Sequence, residues 1–197
     1  MEPTERQWVG YRVVPGAMLS APLPSAPEVG DGWRGVDLRR IHPLDQLDPL
    51  VIETATRSEA ALGVHIAESY AYLIAAARDH EPVRLVLGVN TSAPPEAATE
   101  ALSRAGVSGT GARWRKRAAK AFERWSSNGP RTLEADAVLA LLGPEHPPAE
   151  AVSWLAALLG IRLSGDPIPD PLDLQSLARR QLEEDPKSGR RRWFSRG

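Results

Sequence analysis

Five cationic side chains recur along a predicted helix near residues 111–126. Residues spaced three or four apart lie on one side of a helix, so these cations share one face. A helix that packs through an apolar face and presents a row of cations can hold a phosphate backbone. We call these residues the basic stripe: Arg113, Lys116, Arg117, Lys120 and Arg124. The apolar stripe beside them, predicted to pack in the core rather than stack on bases, comprises Trp114, Ala118, Ala121, Phe122 and Trp125.

The charge of the whole chain hides this local feature. The 197 residues carry a formal net charge of −1, yet residues 108–131 hold seven basic residues and one acid, Glu123. This excludes a uniformly basic surface but not a local one. Two interpretations of the stripe remain open: a phosphate-binding surface, or a solvated face neutralised by the acidic residues of 132–185.

Residues 97–113 resemble a helix-turn-helix motif. Gly106, Val107 and Ser108 fit the turn, and Ala112 fits a small interior position of the second helix. The sequence departs from the motif at Leu102, where Ala is usual, and Gly109 and Gly111 give the second helix a loose start. The resemblance implies that the second helix lies in the major groove of DNA. We therefore expect a non-enzymatic, DNA-binding regulator with a helix-turn-helix-like unit at 93–127.

A second hypothesis is a module for binding a protein partner or a second copy. Asp48 and Pro49 are typical of a helix start, and small or apolar residues recur at three- and four-residue steps to about Asp79. We expect one helix over 49–79 whose small-residue face lets a partner helix approach closely. No nucleic acid is needed in this alternative.

Motifs for catalysis or metal binding are missing. With no cysteine, the chain has no thiolate metal site and no thiol nucleophile. His65 and Glu68 lie three residues apart, but no second copy completes a helical metal site. There is no phosphate loop and no Gly-x-Ser-x-Gly elbow. We predict no cofactor, no metal and no catalytic residue, although a site assembled from distant residues would leave no local motif.

The element pattern predicts a mainly α fold: a compact domain of about six helices with an extended Pro/Gly-rich N-terminal segment and one short strand pair. The divisions are an extended segment at 1–46, a helical domain at 47–184 and a disordered basic tail at 185–197. The aromatic and β-branched residues at 8–14 predict a strand. The pattern of residues 83–90 fits either a strand or a buried helical turn.

The N-terminal residues and the length of the apolar runs indicate where in the cell the protein is expected. The first residues are acidic rather than basic, and the longest apolar run is the eight residues Tyr70 to Ala77. We expect a cytoplasmic protein with no membrane partner. The excess of Arg over Lys, with many Ala, Gly and Pro, is typical of a GC-rich bacterial genome.

Overall fold

A six-stranded antiparallel sheet forms the centre of the protein. The computed structural model describes residues 5–13, 26–109 and 111–163. The strand order across the sheet is β2-β3-β1-β4-β5-β6, and every neighbouring pair is antiparallel. The strands are β1 (Arg6–Arg12), β2 (Glu28–Gly30), β3 (Trp33–Asp37), β4 (Ala60–Ile66), β5 (Ala71–Ala77) and β6 (Val83–Leu87).

Helices cover both faces of this sheet. On one face, a Cβ at Gly63 of β4 would meet Val51 and Leu47 of the first helix. Because side chains alternate along a strand, Trp33, which is in register with Arg12 and Ala60, lies on the other face, where its ring is 6.1 Å from that of Trp125. The helices are α1 (Leu44–Thr56), α2 (Thr99–Arg104), α3 (Ala112–Ser126), α4 (Ala135–Leu141) and α5 (Pro148–Leu158), with a 3-10 turn at Glu96–Ala98.

The prediction of a mainly α, all-helical domain is therefore wrong. The largest error is the helix expected over 49–79, because the chain there forms the rest of α1, then β4 and β5. Central strands buried on both faces lose the polar alternation that marks a strand, so their apolar and small residues matched a helical spacing by chance.

The small-residue face expected on that helix is not a surface. Val51, Leu62 and Leu73 are each at most 1% exposed: Val51 packs between α1 and the sheet, whereas Leu62 and Leu73 lie on the opposite face of the sheet. A protein partner or a second copy stays a prediction, but it cannot bind through this set of residues.

The first 46 residues contribute strands rather than only an extended connection. β1, predicted as a strand, is confirmed, and it lies inside the sheet between β3 and β4. Trp8 of β1 packs over Gly10 and Gly35, where a Cβ would collide with its ring. In its described part, the extended segment expected at 1–46 is corrected to three strands of the sheet, of which β1 and β3 are interior and β2 is at the edge.

The helix predicted near residues 111–126 is confirmed as α3. Of the two alternatives left open for residues 83–90, the structure has the strand, β6. Gly106 ends α2 with a φ of 68°, as a glycine at a helix end allows. The end of the predicted helical domain, residues 164–184, and the basic tail at 185–197 lie outside the described residues. In the described ranges, no helix is long and apolar enough to cross a bilayer.

Candidate functional site

The apolar side of α3 holds the helix firmly against the sheet and its neighbours. Trp114, Ala118, Phe122 and Trp125 are buried, as predicted for a core-facing stripe, while Ala121 is half-buried. The Trp114 indole Nε1–H donates to the Ala105 carbonyl at 2.7 Å. This burial fixes the direction of every other face of α3.

The carboxyl end of α3 is tied to the start of α4. The backbone N–H of Leu133 donates to Ser126 Oγ at 3.0 Å, and the N–H of Ala135 donates to Glu123 Oε1 at 3.2 Å. Glu123, the one acid of the segment, thus lies against the positive end of the α4 dipole. It does not neutralise the cations of its own helix.

The basic stripe lies on the solvent side of α3. All five cations are exposed. With about 100° of rotation per residue, they fall within an arc of about 100° around the helix axis. In the described part of the chain, none of them forms an ion pair. The stripe is therefore a concentrated positive surface on a well-packed helix.

Residues 132–163 do not neutralise the stripe. Their acids are Glu134, Asp136, Glu145 and Glu150, and none of these pairs with a stripe residue. Glu150 instead lies 4.0 Å from the ring of His146. The rest of the acidic segment invoked as a partner, 164–185, lies outside the described residues.

The connection between α2 and α3 is longer than a helix-turn-helix turn. α2 ends at Arg104 and α3 begins at Ala112, whereas the motif joins its helices with three or four residues. Gly106 and Gly111 both adopt positive φ, and Gly111 directly precedes α3. The expected turn at Gly106–Ser108 thus ends α2 without leading straight into α3.

A groove runs beside the stripe, between α3 and the edge strand β6. It has a volume of about 630 Å³. One wall is the chain segment 80–84, and the other is the flank of α3 that carries Ala118, Ala121, Arg117 and Arg124. The stripe and the groove share Arg117 and Arg124. Sequence patterns could not reveal this site, because β6 and α3 are brought together only by the fold.

A buried polar network lies on the sheet face covered by α1. Asp48 of α1 accepts a hydrogen bond from the Tyr72 hydroxyl at 2.7 Å and another from Arg84 Nε at 3.0 Å. Arg104 of α2 lies 3.5 Å from the same carboxylate. Burial and the hydrogen bond to Asp48 raise the pKa of Tyr72. The network ties α1, α2 and the sheet together, and its Arg84 also lines the groove.

His65 belongs to a second buried cluster on that face. Its ring nitrogens lie 3.0 Å from the Gln7 side-chain nitrogen and 3.2 Å from the Tyr70 hydroxyl. Burial lowers the pKa of His65, and the charges of Glu5 and Glu100 oppose this in part. His65 lies on β4 rather than on a helix with Glu68, and no group of three metal-ligating side chains exists in the described ranges.

The structure therefore brings the five predicted site residues together on one exposed face. It adds the groove lined by His80, Arg84, Arg117 and Arg124. Comparisons of the chain with protein-family models, with curated proteins and with solved structures found no match.

Proposed function

We propose that the protein binds nucleic acid through the basic stripe of α3. The observation that carries the proposal is the exposure of Arg113, Lys116, Arg117, Lys120 and Arg124 in one arc, without an ion pair in the described residues. When such cations bind the phosphates of a nucleic acid, they displace the counterions condensed on it, and the release of these counterions drives binding.

The packing of α3 favours contacts with the phosphate backbone over reading of bases. One side of the helix is buried, so only its opposite side, which carries the stripe, is exposed. The short helix α2 and the long α2–α3 connection differ from the arrangement that inserts a recognition helix into the major groove. Contacts to phosphate position a protein on a duplex but carry no sequence information directly. We therefore expect weak sequence preference and strong salt dependence.

Charge reversal within the stripe tests this proposal. We expect the full chain carrying Lys116→Glu and Lys120→Glu to bind a fluorescein-labelled 20-base-pair duplex at least tenfold more weakly than the parent. The slope of log K against log salt should fall by about 2, since each lost phosphate contact removes nearly one unit. Fluorescence anisotropy at several salt concentrations measures both quantities.

A matched control carries Arg39→Glu and Arg40→Glu, two exposed arginines that follow β3 and lie outside α3. The net charge change is the same, so an effect of total charge would appear in both variants. If both variants lose affinity equally, or if neither does, the stripe is not the binding surface.

A further inference from the structure

The groove beside α3 follows the free edge of the sheet. β6 is the last strand in the sheet order. Among the described residues, no backbone hydrogen bond joins β6 to any segment other than β5. An unpaired strand edge presents N–H and C=O groups that another extended chain can pair with.

The open part of that edge is the start of β6. Val83 and Arg84 are half-buried, whereas Leu85, Val86 and Leu87 are buried, and α2 packs beside the strand. The segment 80–84 also forms one wall of the groove. A bound chain would therefore pair near Val83 and lie along α3.

The chemistry of the groove combines apolar and cationic groups. Val83, Ala118 and Ala121 supply the apolar surface, and Arg117 and Arg124 supply the positive charge. Arg84 also lines the groove, but its charge is paired with Asp48. The groove contains one acid, Glu81. An occupant with alternating apolar and acidic side chains complements this lining.

The burial of the aromatic rings distinguishes a peptide from a single-stranded nucleic acid. Trp114 and Trp125 line the groove but are only 4% and 6% exposed. Single strands bind by stacking their bases on exposed aromatic faces, and these rings offer no such face. The free strand edge, in contrast, suits a polypeptide backbone.

We propose that this groove binds an extended acidic peptide of another protein, which adds a strand at the start of β6 and places its carboxylates against Arg117 and Arg124. The peptide site differs from the nucleic-acid surface, although the two share these arginines. Either proposal can fail without the other.

Filling the groove tests the peptide site. The probe is an acetylated ten-residue peptide of alternating Val and Glu, and its lysine counterpart tests the charge requirement. We expect Ala121→Trp, at a half-buried position in the groove, to weaken binding of the acidic peptide at least tenfold. Ala149→Trp, at an exposed position of α5, makes the same change elsewhere and should leave binding unchanged. Isothermal titration calorimetry measures the affinities.

Amide hydrogen exchange followed by NMR tests the strand pairing. We expect the acidic peptide to slow exchange at the outward-facing amides of residues 83–85. Binding without any change there would show attachment by charge alone and would overturn the proposed pairing.

Two variants separate this proposal from the proposed function. Ala121→Trp should keep its affinity for the duplex, because Ala121 lies off the stripe. Lys116→Glu with Lys120→Glu should keep its affinity for the peptide, since neither lysine lines the groove. No binding of the acidic peptide, equal binding of the lysine peptide, or an Ala121→Trp effect confined to a single-stranded oligonucleotide would each overturn the peptide site.

Discussion

His65 shows how one buried side chain connects stability to pH. Its ring contacts Gln7 of β1 and Tyr70, which follows β4, so the cluster joins adjacent parts of the sheet. Burial disfavours the imidazolium and lowers the pKa of His65 below its ordinary value of 6.5. Between those two pKa values, the unfolded chain therefore binds a proton that the folded chain does not.

We expect the free energy of unfolding to decrease as the pH falls through 6.5 towards the folded-state pKa of His65. The contribution of His65 to the free energy of unfolding is fully present above pH 6.5, where the residue is neutral in both the folded and the unfolded chain. His65→Gln should make the dependence shallower between pH 5 and 7 on urea denaturation. His80→Gln, at an exposed histidine, is the control. Equal slopes in the parent and in His65→Gln would show that His65 does not couple folding to pH.

At the scale of elements, the predictability of a segment depended on how many of its faces are buried. α3 has one buried and one solvated side, so its apolar and cationic residues separate cleanly and the sequence alone located it. β4 and β5 are buried on both faces, and their runs of Ala, Leu and Ile carry no such contrast. Local patterns cannot separate such strands from a buried helix, because the pairing that defines them is between distant residues.

Gly63 sets the distance between α1 and the sheet. A Cβ at this position would collide with the Val51 side chain, so Gly63→Ala overpacks the layer. We expect it to lower the free energy of unfolding by about 1–3 kcal/mol. In a double-mutant cycle, Val51→Ala with Gly63→Ala should cost less than the two single changes added together. Urea denaturation measures each variant, and additive costs would mean that the two residues do not limit this packing.

At the scale of the whole molecule, the candidate site joins a predictable part to an unpredictable one. The charges of the basic stripe follow from helical spacing within a single element. The groove depends on the position of β6 at the end of the sheet order, beside α3. α3 begins 25 residues after the end of β6 in the chain. The cations of the basic stripe could therefore be predicted from the sequence, whereas the groove next to them could not.

The position of β1 makes the N-terminal residues part of the central structure. β1 pairs with β3 on one side and β4 on the other, and Val9 and Tyr11 are at most 1% exposed. An attached peripheral segment could open independently, but an interior strand opens only when the sheet on both sides of it separates. We therefore expect the amides of Val9 and Tyr11 to exchange as slowly as those of Leu73 and Ile74 in β5. Amides of the edge strand β2 should exchange much faster. Hydrogen exchange monitored by NMR would make this comparison, and rapid exchange of β1 under conditions where β5 stays protected would show that the first strand is dispensable to the core.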